Sequence, residues 1–182
     1  GASQESWVFQ MVGSKPSKYV LRRAPAGKGG TASAAIGLEN EAKLIALVAA
    51  NGGAVPGIAH MCSPTDGLGE GFIMHHVAGE TIARKLLRDK VYADARKTLA
   101  QQCGTFLARL HAMDVAGADF LPAQDAKAQI MQFEGIYRQI GRRRPVFELS
   151  FKRLEDHPPP PRPPSIVHGD FRLGNLMVNK EG

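Results

Sequence analysis

His168, Asp170 and Asn175 stand in the run His168-Gly169-Asp170-Phe171-Arg172-Leu173-Gly174-Asn175, which has the spacing H-x-D-x-x-x-x-N. Those residue types at that spacing suit phosphoryl transfer. Such a reaction needs a carboxylate to take the proton of an attacking hydroxyl. It also needs an amide oxygen a few residues on, to hold a magnesium ion that bridges the phosphates. A short loop between the two sets both on one side of a cleft. On this reading Asp170 is the base or hydroxyl positioner, Asn175 is the metal ligand, and His168 orients the loop through hydrogen bonds without titrating. Arg172 can meet substrate or phosphate, and both roles stay open. Four specified residues coincide by chance in a chain of this length on the order of once in a thousand. The plainer alternative is a turn in which the aspartate caps a helix and the histidine is buried.

A loop of this kind has to be carried by ordered elements, and the hydrophobic periodicity predicts them. Residues 7–12 read as a strand with Trp7, Phe9 and Met11 on one face, and residues 18–23 read as a second strand. The turn residues Gly13-Ser14-Lys15-Pro16-Ser17 join them into a hairpin. Residues 24–37, rich in Gly, Ala and Ser, read as a loop. Leu38, Ala42, Ile45, Val48 and Ala49 recur at helical spacing over 38–50, and Asn51-Gly52-Gly53 ends that helix. Short strands follow at 58–62 and 71–77, parted by the turn Thr65-Asp66-Gly67. After Gly79 the pattern becomes mainly helical. Leu99, Cys103, Phe106, Leu107 and Leu110 stripe a helix over 92–113, and further helices are expected at 126–141 and 146–156. Pro158 to Pro161 with Pro163 and Pro164 holds half of the 12 prolines. That stretch reads as a stiff extended spacer rather than a docking motif.

Composition narrows the classes further. The 182 residues are 43% hydrophobic and 22% charged, the balance of a folded soluble protein. The longest apolar run, 44–50, is too short to span a bilayer, and no basic-then-apolar leader is legible. Cys62 and Cys103 lie far apart with no CxxC and no paired histidine, so neither a disulfide framework nor a zinc site is implied. A reducing, cytoplasmic setting is the simplest expectation. Lys and Arg number 23 against 17 Asp and Glu, a formal +6 that suits an anionic ligand such as a nucleotide, a phosphorylated metabolite or a nucleic acid. The basic and aromatic residues are not interleaved as nucleic-acid surfaces require, so a nucleic-acid module is the weakest of the three. No membrane partner is expected.

The segment HGDFRLGN resembles the catalytic loop of the aminoglycoside phosphotransferase family, in the protein-kinase-like superfamily. With Phe-Arg-Leu-Gly inside, it is most similar to a branch related to the kinase-like domain of acyl-CoA dehydrogenase fusion proteins. GASQESWVF resembles that branch's phosphate-loop region, YVLRR its nucleotide-lysine strand, FIMHHVAGE its hinge and FLARLHAMD the helix before its insert, in matching order and spacing. The resemblance implies an α+β, two-lobed protein-kinase-like fold. Residues 1–77 would form the nucleotide-binding lobe, an antiparallel sheet plus one helix. Residues 78–182 would form a mainly helical lobe with the catalytic loop. It also implies a chain truncated at both ends, with a first strand ahead of Gly1 and a second metal-binding aspartate and further helices beyond Gly182. The implied activity moves the γ-phosphoryl of ATP, with Mg2+, onto a hydroxyl of a small molecule.

The same resemblance assigns roles along the chain. Backbone N–H groups of residues 1–6 and the Ser3 and Ser6 hydroxyls would cradle nucleotide phosphates. Arg22 stands where the family shows lysine. It keeps the charge but offers a wider planar fork, and Arg23 competes for the place from the opposite face. The partner glutamate is Glu41 or Glu39. Glu41 shares the inward stripe of Leu38, Ala42, Ile45 and Val48 and needs a partner there, whereas Glu39 has Lys43 one turn on, so Glu41 is the choice. Adenine would meet backbone groups near His75 and Val77. His75 and His76, adjacent on an extended segment, point apart and would not share an ion. His111 and Asp114 read as structural. The run Arg142-Arg143-Arg144 lies in the implied substrate-facing insert and favours an anionic acceptor such as a hydroxyacyl-CoA, unless it is a solvated helix end. Arginine in place of lysine, and a second aspartate outside these residues, keep open the alternative of a nucleotide-binding pseudokinase without turnover.

Overall fold

Alternating side chains in the first eighty residues build a sheet whose two faces have different tasks. The structure is a computed structural model that describes residues 4–12, 17–25 and 36–181. Strands β1 (Glu5–Met11), β2 (Ser17–Arg23), β3 (Ile58–Met61) and β4 (Gly71–His75) form one antiparallel sheet in the order β1-β2-β4-β3, and helix α1 (Gly37–Ala50) lies between β2 and β3 in the chain. The expected hairpin is present, although residues 13–16 of its turn and 26–35 of the following loop lie outside the described residues. Helices α2 (Ala83–Arg88), α3 (Ala93–His111), α4 (Ala126–Ile140) and α5 (Pro145–Asp156) follow.

Register decides which side chains meet. Arg22 sits opposite Ser6 on β1 and opposite Phe72 on β4. Directly opposed side chains share a face, so these three form one row. Phe72 is fully buried against Leu38 and Ala42 of α1, which places that row on the helix side of the sheet. Arg23, one residue on, turns to the other face, where its Nε meets Glu5 at 3.0 Å and its Nη1 donates to the Leu68 carbonyl. On that outer face Phe9, Tyr19 and His75 stack in register, with ring centroids 5.8 and 5.2 Å apart.

α1 has a second packed stripe. Its Val48 is buried with Leu110 of α3 and Ile166, surrounded by Leu44, Leu47, Val55, Phe106 and Met113. The helix ends at Asn51, whose side chain donates to the Leu47 carbonyl, and Gly52 then turns left-handed at φ 75°. A third cluster joins Leu86 of α2, Ala95 of α3 and Val178 to Leu173 and Leu176. Val178 also forms a two-way backbone bridge with Glu80, at 2.9 and 3.1 Å. The Glu80 carboxylate accepts the N–H groups of Thr81 and Ile82 and meets Lys85 at 2.9 Å, which fixes the start of α2.

Gly1–Leu121 and Ser165–Gly182 form one compact unit and Pro122–Pro164 a second. In the second, the Asp125 side chain caps α4 by accepting the Ala128 N–H, and Pro145 opens α5. Tyr137 packs against Phe147 and Phe151, while Arg138 joins Glu134 to Glu148. Met131, Phe133 and Leu149 are exposed. The proline-rich stretch is outside helix and strand and exposed throughout, as expected. No helix among the described residues is long and apolar enough to cross a membrane.

The turn between β3 and β4 yields one prediction. The Asp66 carboxylate accepts the Ser63 N–H at 2.7 Å, meets His60 Nε2 at 3.0 Å and accepts the Ser63 hydroxyl at 2.9 Å. Those contacts, the backbone one foremost, lower its pKa from the model value 3.8 to about 2. A depressed carboxylate stabilises the fold above its unfolded pKa, and that contribution is lost as pH falls through the folded value. The Ser63 amide signal should therefore titrate with a midpoint near 2. A midpoint near 4, the ordinary carboxylate range, would show that the turn does not hold the charge.

Candidate active site

The loop that carries the motif is pinned at both ends. Ile166 is buried beneath α1 and α3, and Val178 is buried beside α2 and bridged to Glu80. Between them His168, Asp170, Arg172 and Asn175 are exposed, while Phe171 and Leu173 are half-buried anchors. Phe171 stacks on Phe106 of α3 with centroids 5.9 Å apart, and His168 meets its edge at 5.3 Å.

The polar geometry follows from two tight turns. Gly169 adopts φ 78°, a left-handed conformation that suits glycine and reverses the chain between His168 and Asp170. His168 Nδ1 then accepts the Asp170 N–H at 3.3 Å, which puts the proton of a neutral ring on Nε2. A single 3-10 turn, Leu173–Asn175, swings Asn175 back over Asp170. Asn175 Nδ2 donates to the Asp170 carbonyl and to its Oδ2, both at 2.8 Å. Both partners are acceptors, so only the amide NH2 can face them, and Oδ1 is left to bind something else. Arg172 Nε lies 3.2 Å from each carboxylate oxygen of Asp170. The Asn175 amide first, and Arg172 second, hold the Asp170 carboxyl below the ordinary carboxylate range. The ion pair is open to solvent and correspondingly weak.

Arg22 and Glu41 come together as their spacing implied. Arg22 Nε lies 2.9 Å from Glu41 Oε1. The N–H is buried but not aimed along that line, so the contact is an ion pair rather than an aligned hydrogen bond. Glu39 pairs instead with Lys43 at 2.7 Å on the exposed side of α1. Gln4, which the sequence reading did not single out, donates from Nε2 toward Glu41 Oε2 at 3.5 Å. Ser6 is exposed opposite Arg22, and Ser3 lies outside the described residues.

β4 ends at His75, two residues earlier than the expected strand, and Val77 lies beyond it. The His75 N–H donates to the Gly57 carbonyl and the His76 N–H to the Lys18 carbonyl. Asp114 accepts the Ala116 N–H in a tight turn after α3, a structural use of that residue. Arg144 flanks the start of α5, and its N–H donates to the Tyr137 hydroxyl.

Among the described residues no three or more His, Cys, Asp and Glu side chains cluster as a metal cage. What the loop does offer is hard oxygen, from the Asp170 carboxylate and Asn175 Oδ1. That donor set fits magnesium, which is held by one or two protein ligands, its own waters and substrate phosphates.

Comparison with known proteins gives a consistent result. A model of the phosphotransferase enzyme family matches residues 1–182. The fold is similar to that of a Ralstonia eutropha JMP134 protein provisionally assigned as an aminoglycoside phosphotransferase, with TM-score 0.68 and 23% identity. The match covers 98% of this chain and 56% of that one, so this chain spans little more than half the length of its structural neighbour. No curated protein matches.

Proposed function

Because the chain belongs to the phosphotransferase enzyme family, we propose that it transfers the γ-phosphoryl group of ATP to a hydroxyl of a small molecule, with magnesium. The observation that carries this reading is the Asp170–Asn175 pair, a carboxylate and an amide held side by side on an exposed loop. Asp170 would hold the acceptor hydroxyl in line with the γ-phosphorus. As the new P–O bond forms and the bond to the β-phosphate oxygen breaks, the proton passes to a carboxylate oxygen of Asp170. A carboxyl held at low pKa is a weak base, so positioning outweighs proton abstraction, which suits a loose transition state. Asn175 Oδ1 and Asp170 are the residues that would hold magnesium, which neutralises charge developing on the phosphates. Arg172, already beside Asp170, can turn to the transferred group. His168 keeps the loop in shape.

At the other end Arg22, oriented by Glu41, would meet the phosphates, helped by Ser3 and Ser6. Adenine would be read by backbone groups near His75 and Val77. Since the His75 and His76 N–H groups already have carbonyl partners, the Val77 N–H and neighbouring carbonyls are the ones to use. In this reading 1–77 is the nucleotide lobe and 78–182 the catalytic one. The run Arg142-Arg143-Arg144 and the +6 charge favour an anionic acceptor such as a hydroxyacyl thioester. The separated cysteines Cys62 and Cys103 fit a cytoplasmic setting.

Calorimetry with ATP tests the core of this. The chain should bind ATP more tightly with magnesium than in EDTA, and Asn175→Ala should weaken the magnesium-dependent binding about tenfold, the loss of one good interaction with a charged group. Equal affinity of the variant in magnesium would remove Asn175 as a ligand. Arg22 in place of lysine favours a second reading, nucleotide binding without turnover, and magnesium–ATP binding with no hydrolysis or transfer would select it.

A further inference from the structure

Two polar atoms at the opening of β1 are buried without a hydrogen-bond partner: Gln4 Oε1 and Arg22 Nε. Both side chains converge on one carboxylate. Arg22 meets Glu41 Oε1 and Gln4 Nε2 meets Glu41 Oε2, so each oxygen has its own neighbour. This arrangement fixes the Gln4 amide. A carboxylate only accepts, so the NH2 must face Glu41 and Oε1 is left as an acceptor with no donor among the described residues. Buried polar groups are nearly always satisfied, and an unsatisfied one in a native structure calls for a missing partner. Ser6 and Arg22 lie opposite one another beside this spot, so the missing partner would arrive at the end of the sheet where phosphates are placed above.

On the premise of the nucleotide-binding reading, we propose that Gln4 is a positioning and binding residue of the phosphate site. Through Nε2 it steadies the Glu41 carboxylate that orients Arg22. Through Oε1 it accepts a hydrogen bond from an O–H donor carried by the bound nucleotide complex. Phosphate oxygens at this pH accept rather than donate, so the donor is either a water on a phosphate-bound magnesium ion or a ribose hydroxyl. Arg22 Nε takes the complementary part, since a phosphate oxygen supplies the acceptor it lacks. One ligand thereby satisfies an orphaned donor and an orphaned acceptor together.

The test uses the full chain with Gln4→Met, which keeps length and volume but removes both polar ends, and Gln4→Glu, which keeps an acceptor but sets a like charge beside Glu41. A residue serving only the fold would lose thermal stability without ligand. Replacing an unsatisfied acceptor by an apolar group of the same shape is close to neutral or stabilising. Gln4→Met should therefore melt at or above the wild-type temperature without nucleotide, while its affinity for magnesium–ATP falls about tenfold and its nucleotide-induced melting shift shrinks. Gln4→Glu should lose at least as much affinity. Titrations with magnesium–tripolyphosphate and with ATP in EDTA locate the donor. A Gln4→Met defect that survives without ribose and vanishes without magnesium assigns it to a metal-bound water. A defect that vanishes without ribose and survives in EDTA assigns it to a sugar hydroxyl. A Gln4→Met protein that melts early yet binds magnesium–ATP like wild type would overturn the proposal and leave the nucleotide reading intact. No binding of magnesium–ATP by the wild type would overturn both.

Discussion

Asp170→Asn is expected to cut phosphoryl transfer by about a hundred- to ten-thousandfold, the range for removing a positioned acid–base group. The substitution is mild in shape. Asparagine can still accept from Asn175 through its side-chain oxygen, and the Asp170 carbonyl that Asn175 also holds is untouched. What is lost is the charge that Arg172 Nε meets at 3.2 Å and the group that takes the hydroxyl proton. Magnesium–ATP affinity should change by only a few-fold, so the effect falls on turnover. Transfer to water is a sufficient assay, since ATP hydrolysis needs no knowledge of the acceptor. A variant that hydrolyses ATP within about threefold of wild type, well inside the range expected for such a group, would dismiss Asp170 as the catalytic carboxylate. The lowered pKa adds a pH signature. Asp170 is ionised at every pH above the ordinary carboxylate range, so the acid limb of activity should begin below it.

Phe72→Ala carries the largest expected effect on the fold. Phe72 is fully buried between Leu38 and Ala42 of α1, and its opposite neighbour on β2 is Arg22. Emptying such a site costs about 3–5 kcal/mol, for lost transfer energy plus the cavity left behind. That is a large share of the roughly 5–15 kcal/mol that holds an ordinary domain together. Urea denaturation should show a much lower midpoint with little change in slope. A loss under about 1 kcal/mol would mean that α1 closes the cavity freely, unlike the sites from which these costs are drawn. Because Glu41 rides on the same helix, surviving Phe72→Ala protein should also bind nucleotide less well, and Phe72→Leu should recover much of both properties.

The sequence is most readable where one local pattern decides the outcome. Trp7, Phe9 and Met11 alternate, Tyr19 to Arg23 do likewise, and the hairpin follows with Arg22 and Arg23 on opposite faces. Glu41 could be preferred over Glu39 because a helix repeats every 3.6 residues and only one of them shares the stripe of Leu38 and Ala42. The kinase-like α+β fold was legible from the loop motif and the order of the segments around it. Helix α2 was missed since six residues, Ala83–Arg88, are too few to show a period. The Glu80–Val178 bridge and the Phe106–Phe171 stack were also beyond reach, because neither partner carries a signal naming the other. Gln4 escaped for a related reason. A glutamine beside a strand is unremarkable until its oxygen is seen to be buried and alone.

The bridge between Glu80 and Val178 bears on how the molecule is assembled over time. Its partners are about a hundred residues apart, so the segment bearing Asp170 and Asn175 cannot be fastened until nearly all the chain is available, making it a late event in folding. Closing so long a loop is entropically costly, but the cost grows only logarithmically with length, by about 0.6 kcal/mol for each doubling. The stretch Pro122–Pro164 lies inside that loop as a compact unit of its own. Its length can therefore change at little thermodynamic expense to the fastening, which leaves that stretch free to diverge while the bridged loop stays fixed.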